Sequence, residues 1–466
     1  MDLNELDVEW IGESRWAYRT KLDVPNMAPG AKAVLIFEGL DTFAEVRLDD
    51  KIILESDNMF LSHEVDITSF ATSKGPLRLE IEFDSALLRG RELEKLHPEH
   101  RFLAHNGETG RLAVRKAQYH WGWDWGPILM TAGPWRPIHL DIFAARVVDH
   151  WLESTVSNDL KSVEVVAFAR SDCPPGCAVN FSLALDGEVI HSQEAVIGQK
   201  GHSEAKFEIQ HPALWYPRGY GAQSRYKLCT SIHYNGQILD SHTKCTSFRK
   251  VELMQEKDDI GESFFFRINS IDVFCGGSCW IPADSLLPNI AEQRYREWLQ
   301  LMVDANQVMV RIWGGGIYED DCFYDICDEL GLLVWQDFMF GCGSYPVWPE
   351  LLDSIQKEAV QNVRRLRHHP CIVIWAGNNE DYQIQEEYNL DYDPQDKNPG
   401  SWLKTNFPAR YIYEHLLPEV VAAESPSVPY WPASPFSRGK NTADPTIGDI
   451  HQWNGKLALP AHPILY

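Results

Sequence analysis

The amino-acid sequence predicts a multidomain chain in which two antiparallel β-sandwiches precede a unit of alternating strands and helices. Three observations carry this prediction. At 466 residues the chain is too long for one ordinary core and fits roughly two to four domains. Up to about residue 250, apolar residues alternate with period two, as in half-buried strands. Beyond about residue 270, short apolar runs alternate with stretches of helical spacing, the pattern of βαβ units around a parallel sheet.

The elements follow in order. "RWAYRTKLDV" sets Trp16, Tyr18, Thr20, Leu22 and Val24 on one strand face. "LRLEIEF" alternates Leu77, Leu79, Ile81 and Phe83 with charged residues, and "PIHLDIF" repeats this at Ile138, Leu140 and Ile142. Residues 1–144 therefore read as one β-sandwich. In the next segment Val179, Phe181, Leu183 and Leu185 alternate. Asp186-Gly187 and Asn235-Gly236 supply tight hairpin turns, whose central positions need positive φ. Short strands at this density predict an immunoglobulin-like sandwich over 145–250.

The third segment, 251–466, changes period. "IDVFCGGSCWIP" reads as a strand, and Tyr295, Trp298, Leu299 and Met302 fall at helical spacing. "QVMVRIW" is a strand; Phe323, Ile326, Cys327 and Leu330 are helical, with Gly331 where a helix C′ glycine belongs. "LLVWQDF" is a strand. Leu352, Ile355, Ala359, Val363 and Leu366 form one helix face, with Pro349 near its first turn. "CIVIWA" closes the series, and the acidic 388–401 stretch follows as a loop. The strands end in polar or Gly-rich loops at Trp280–Asp284, Arg311–Gly316, Asp337 and Asn378–Glu380. A (β/α)₈ barrel would open all of these on one face, where its chemistry sits. The rival doubly wound sheet lacks its GxGxxG turn, and no P-loop occurs.

Composition excludes several partners. A net charge of −25 argues against nucleic acid and anionic membrane surfaces, which need clustered Lys and Arg. No run of 18 apolar residues marks a transmembrane helix. "MDLNELDVEW" lacks the apolar core of a secretory signal, so a cytoplasmic location is expected. The ten cysteines form no paired CxxC zinc pattern, and most read as buried thiols of a reducing compartment. No metal ligand set or cofactor motif stands out. His368-His369 is expected to act on a helix dipole rather than on a metal. Seventeen tryptophans fit either sugar stacking or core filling.

Four places have side chains that could carry chemistry, each with two readings. Glu380 either caps the following helix or serves as an acid whose pKa is raised by apolar neighbours such as Trp375. Arg311 and Trp313, in "VRIWGGG", either pack a strand-end turn or hold a carboxylate and form a sugar platform. Asp337 is either a buried structural acid or a ligand of hydroxyls. In "YHWGWDWGP", the tryptophans around Asp124 either pack on a neighbouring domain or form a sugar site. HExxH and GxSxG motifs do not occur.

Taken together, these motifs resemble the β-mannosidases of glycoside hydrolase family two, and most closely the fungal intracellular type. The resemblance runs through "WGWDWGP" (121–127), "LWYPRGYGAQ" (214–223), "SFRKVEL" (247–253), "GGSCWIPADSL" (276–286), "VRIWGGGIYEDD" (310–321), "LLVWQDFMFGC" (332–342), "VIWAGNNE" (373–380), "PYWPASP" (429–435) and "GDIHQW" (448–453). It implies a sugar-binding-like jelly roll, an immunoglobulin-like sandwich and a catalytic TIM barrel. It also implies exo-hydrolysis of terminal β-mannosyl units with retention and without a cofactor. By resemblance Glu380 matches the general acid/base, and Asn379 the residue that bonds the sugar 2-hydroxyl. Asp124 matches a ligand of the sugar hydroxyls, and Trp313 an aromatic wall to which Trp123 and Trp431 add. Arg311 and Asp337 match strand-end residues that brace the carboxylates.

The chain also departs from the family. Retention needs two carboxyls about 5–5.5 Å apart. The family's nucleophile lies in a Ser-Glu-Phe-Gly stretch on the seventh barrel strand, and no such stretch occurs in these residues. After "GDIHQW" the sequence turns to "NGKLALPAHPILY". The expectation is a truncated chain with an incomplete barrel, a late-starting jelly roll, the nucleophile absent, and no turnover of β-mannosides as written. Three functions remain open: a β-mannosidase by family, a non-catalytic β-mannoside-binding fragment, and a poorly folding remnant. The related exo-β-glucosaminidases are the nearest competitor within the enzyme reading.

Overall fold

The computed structural model describes residues 4–71 and 75–452 of the chain. The expected divergence over 454–466 lies outside the described residues. The first unit is a two-layer antiparallel sandwich. One layer runs Trp16–Leu22, Leu77–Phe83, Ala44–Leu48, Lys51–Ser56; the other runs Ile138–Phe143, Lys32–Phe37, His63–Asp66. Leu77, Leu79, Ile81 and Phe83 turn inward and meet Ala33, Leu35 and Phe37 of the opposite layer. Trp16–Leu22 departs from the expected pattern. Trp16 and Leu22 reach the core, but Tyr18 is 47% exposed and Thr20 is exposed. It is an edge strand paired only with Leu77–Phe83, so its middle is half covered.

The second unit packs Arg146–Val156, Ser162–Asp172 and His202–Gln210 against Glu188–Val196, Ala178–Leu185, Tyr226–Tyr234 and Gln237–Thr246. Val163, Val165, Val179, Phe181, Leu183 and Leu228 fill the space between. Both hairpins have the expected turns: Asp186 and Gly187 sit at φ 50° and 86°, Asn235 and Gly236 at 48° and 79°.

The third unit opens with a small antiparallel sheet, Val251–Met254, Phe265–Ile268 and Ile271–Val273. A five-stranded parallel sheet follows: Gly277–Trp280, Met309–Ile312, Leu333–Asp337, Ile372–Ala376 and Tyr430–Trp431, each beside its successor in the chain. The expected single strand "IDVFCGGSCWIP" is thus two strands in two sheets. Phe274, 83% exposed, marks the break. Gly277 lets the new strand approach its neighbour, since a Cβ there would lie 1.8 Å from the Met309 carbonyl oxygen.

Helices Glu292–Asp304, Asp321–Leu330 and Pro349–Leu366 alternate with the first four strands. Asp320 caps the second by accepting from the Cys322 N–H at 3.1 Å, and Gly331 ends it at φ 74°. Leu333–Asp337 and Ile372–Ala376 are buried at every position, as expected for strands covered on both faces. Between the fourth and fifth strands lie helices Asp381–Glu387, Pro399–Trp402 and Leu417–Glu424. No helix among the described residues is long and apolar enough to cross a membrane.

The first sandwich is locked to the third unit through buried charges. Arg115 grips Glu358 of helix Pro349–Leu366 with two bonds, 2.8 and 2.7 Å. Arg111 donates to the carbonyls of Gly341 and Cys342, both at 3.0 Å. These bonds set the first sandwich against the C-terminal ends of the parallel strands.

Candidate functional site

Parallel strands leave their side chains converging beyond their C-terminal ends, and here the second, third and fourth strands deliver Arg311, Asp337 and Asn379. Arg311 Nη2 donates to Asp337 Oδ2 at 2.7 Å and to Asn379 Oδ1 at 2.9 Å, and its Nε donates to Asp337 Oδ1 at 3.3 Å. Asp337 also accepts from Trp335 Nε1 at 2.8 Å and from the Gly314 N–H at 3.0 Å. Burial pushes its carboxyl up, and Arg311 works against that shift. With its oxygens taken by four donors, Asp337 acts as a brace. It orients Arg311, which in turn orients the Asn379 amide.

Glu380 sits just before helix Asp381–Glu387, at φ 68° and ψ 10°. That left-handed conformation costs a non-glycine residue about 1–3 kcal/mol. Its side chain makes no capping bond. Instead its Oε1 lies 2.7 Å from His451 Nδ1, and the Cys342 thiol donates to Oε2 at 3.3 Å. The Asn379 amide donates to the same sulfur at 3.2 Å. Backbone bonds hold the loop: Asn379 N–H to Phe340 O at 3.0 Å, Cys342 N–H to Asn379 O at 2.7 Å, and Glu380 N–H to Ser434 O at 2.9 Å. The loops after the third, fourth and fifth strands are therefore stitched together at Glu380.

The expected upward shift of Glu380 is corrected. Burial does push the carboxyl up, but His451, Cys342 and Arg311 outweigh it and hold Glu380 below the usual glutamate range. Trp375, fully buried within the strand, does not decide the balance. The acid beside it, Asp381, is the one raised furthest in this loop. It accepts from the Gly343 N–H at 2.9 Å and from the Tyr413 hydroxyl, and burial pushes it up to about 8.

An aromatic wall flanks this cluster. The Trp313 ring meets Trp123 at 4.7 Å and Trp125 at 5.6 Å, both edge-on. Gly315 makes room for Trp313, since a Cβ there would sit 1.9 Å from its ring. Trp123 and Trp125 belong to the hairpin Trp121–Trp123/Gly126–Ile128 of the first sandwich, and Arg111 stacks over Trp123 at 5.1 Å. Asp124 is exposed at the hairpin tip and has no hydrogen bond to the cluster among the described residues. Trp431, on the fifth strand, donates its Nε1–H to Asp449 at 2.6 Å and packs on Phe264 and Phe436.

Sequence reasoning missed Cys342, His451 and Asp449. All three lie inside motifs visible in the sequence, "FMFGC" and "GDIHQW", but the bonds of Cys342 and His451 to Glu380, and of Asp449 to Trp431 and Ser434, are tertiary. The expected dipole role of His368-His369 is also corrected. Burial holds His368 well below the usual range, so it is uncharged, and His369 Nδ1 pairs with Asp328 at 2.6 Å. Asp328, His369 and Cys371 bring their donor atoms within 4.8 Å of one another. Asp328 already accepts from His369 and from the Cys371 N–H at 2.9 Å, so the trio is accounted for as a hydrogen-bonded junction.

Comparison with known proteins adds independent findings. Residues 1–136 match the glycosyl hydrolase 2 galactose-binding domain-like family, and residues 145–249 match glycosyl hydrolases family 2. Together the two matches cover more than half of the chain. The chain is 54% identical over 456 residues to beta-mannosidase B of Neosartorya fischeri, covering 97% of this chain and 54% of that protein. Beta-mannosidase B of Aspergillus niger is 54% identical over 454 residues, with the same coverage. The crystal structure of beta-D-mannosidase from Dictyoglomus thermophilum superposes with a TM-score of 0.86 at 36% identity, covering 97% of this chain and 55% of that one. The exo-chitosanase CsxA of Amycolatopsis orientalis shares the fold, with a TM-score of 0.67 at 18% identity over 93% of this chain and 45% of that one. The chain spans about half the length of the curated relatives it matches.

Proposed function

From the premise that this chain belongs to glycoside hydrolase family 2, we propose that it carries the acid/base half of a retaining exo-β-mannosidase site. The substrates would be terminal β-D-mannosyl units of mannosides, manno-oligosaccharides and N-glycan cores. The observation that carries this proposal is Glu380 itself. It is held in a strained left-handed conformation at the end of a parallel strand, with its carboxylate bonded to His451 and Cys342 and not to the helix it could cap. Such strain persists where the surrounding structure over-determines it, and it clusters at functional sites.

In this proposal Glu380 protonates the glycosidic oxygen. Asn379, oriented by Arg311 and Asp337, bonds the sugar 2-hydroxyl. Trp313, Trp123 and Trp431 wall the sugar, and Asp124 at the hairpin tip reaches its hydroxyls. In this reading the five parallel strands are the opening β/α units of a (β/α)₈ barrel. On the same reading 1–144 is a sugar-binding-like jelly roll, 145–250 an immunoglobulin-like sandwich, and the described residues from 251 onward the N-terminal part of the barrel. Ten unpaired cysteines support a reducing, cytoplasmic setting.

A second reading, β-mannoside binding without turnover, has its own support. Retention needs a nucleophilic carboxylate beside the acid, and no Ser-Glu-Phe-Gly stretch occurs in the 466 residues. The groups that hold Glu380 down are a histidine, a thiol and an arginine. Incubation of the 466-residue chain with an aryl β-mannoside tests both readings. The expected result is mannose-dependent thermal stabilisation without release of the phenol. Turnover abolished by Glu380→Ala would refute the non-turnover reading, and absence of stabilisation would refute the site.

A further inference from the structure

Beyond Glu380, the structure shows a four-residue hydrogen-bond chain whose protons can be assigned by counting. His451 Nδ1 lies 2.7 Å from Glu380 Oε1, and His451 Nε2 lies 3.0 Å from Ser434 Oγ. Ser434 Oγ lies 2.7 Å from Asp449 Oδ2. Asp449 accepts at both oxygens: Trp431 Nε1 and the Phe436 N–H donate to Oδ1 at 2.6 and 3.1 Å, and Ser434 donates to Oδ2. A carboxylate can only accept, so the single Ser434 proton points to Asp449. Ser434 Oγ must then accept from His451, and Nε2 carries a hydrogen. The imidazole is therefore anchored from its far side, and Nδ1 shares one further proton with Glu380.

We propose that His451 is a positioning residue that stores the proton Glu380 delivers. With the shared proton on Nδ1, the pair is imidazolium and carboxylate. Loading the acid breaks the Nδ1–H bond and forms Oε1–H, turning a charge pair into a neutral pair. No proton is taken from solvent and the net charge is unchanged. The other groups facing Glu380 set the direction of rest. Arg311 favours the carboxylate, Cys342 donates its S–H to Oε2, and Asp381 faces from the next residue. Burial keeps the Cys342 thiol protonated, so it remains a donor. On the His451 side the described partners are Glu380 and, through Ser434, Asp449. A sugar that displaces water from beside Glu380 disfavours separated charges and so drives the proton onto Oε1. The inference rests on the acid/base reading of Glu380.

The test is ¹³C NMR of the 466-residue chain labelled at the glutamate side-chain carboxyl, with Glu380→Gln assigning the resonance. The wild type should show Glu380 titrating below the usual glutamate range. In His451→Phe it should rise by about one unit or more, because the cation is gone while the burial stays. Ser434→Ala leaves the ring in place but removes its anchor, and should give a smaller rise in the same direction. Should His451→Phe fail to fold, Ser434→Ala alone decides. A Glu380 titration unchanged in the folded variants overturns the inference. Methyl β-D-mannoside binding, measured on the same wild-type sample, separates the two layers. Its absence would remove the glycosidase reading and leave the pair standing, whereas an unmoved titration would remove the pair and leave the reading.

Discussion

Glu358→Gln tests whether the first sandwich is held in place by one buried ion pair. Four donors meet the two Glu358 oxygens. Arg115 Nε and Nη2 donate at 2.8 and 2.7 Å, Asn58 Nδ2 at 2.9 Å and the Tyr318 hydroxyl at 2.9 Å. Both charged side chains are 2% exposed, so water cannot replace a lost partner. Glutamine offers one oxygen and turns an NH₂ group toward at least two of the donors, leaving Arg115 a buried cation without a counter-ion. Breaking a buried pair from one side costs about 3–5 kcal/mol. At a urea m-value of about 3 kcal/mol/M, the midpoint followed by tryptophan fluorescence should fall by about 1–1.7 M. Arg115→Met combined with Glu358→Gln should lose less than the sum of the single variants, since no unpaired cation remains. The same variant should weaken β-mannoside binding, because Trp123 and Asp124 ride on the sandwich this pair secures. A midpoint shift below about 0.3 M, or strict additivity in the double variant, would refute the reasoning.

Other expectations follow from single residues. The folded value of Asp381, about 8, lies above its unfolded value of about 3.9, so the folded state holds the proton more tightly. The stability this contributes is full in acid and is lost as pH rises toward 8, so thermal melts should fall between about pH 4 and 8. Asp381→Asn should flatten that fall; an unchanged slope would show that Asp381 is not responsible. Gly331→Ala should lower stability by about 1 kcal/mol or more, since its φ is 74° and a Cβ would meet the Arg218 nitrogen at 2.7 Å. An unchanged denaturation midpoint would contradict this. Trp313→Ala should weaken methyl β-D-mannoside binding about tenfold in calorimetry through loss of ring contact; equal affinity would remove Trp313 from the wall.

What the sequence made legible was local. The alternation in Leu77–Phe83, the Asp186-Gly187 and Asn235-Gly236 turns, and Gly331 each state their conformation in two to seven residues. The strand-end positions of Arg311, Asp337 and Asn379 were legible for the same reason, because each closes a short apolar run. The charge state of Glu380 was not. Its apolar neighbours are visible in "CIVIWA", but the group that lowers it, His451, lies 71 residues away and meets it only through the folding of the loop after the fifth strand. Cys342 reads as one more buried thiol until its sulfur is seen between Asn379 and Glu380. The run "IDVFCGGSCWIP" looks continuous because both halves are strand-like. Only the pairing partners, Phe265–Ile268 for one half and Met309–Ile312 for the other, show that it changes sheet. Tyr18 alternates correctly yet stays exposed, since period alone does not tell an edge strand from a central one.

Glu380, Asn379, Arg311 and the Trp313 wall are proposed to form a site for a β-mannosyl unit. Isothermal titration of the 466-residue chain with methyl β-D-mannoside, against methyl β-D-glucoside, tests it most directly. Saturable binding of the mannoside is expected, with weaker binding of the glucoside, whose 2-hydroxyl is equatorial, and loss of that preference in Asn379→Ala. No binding of either sugar, or equal binding of both by the wild type, would contradict it.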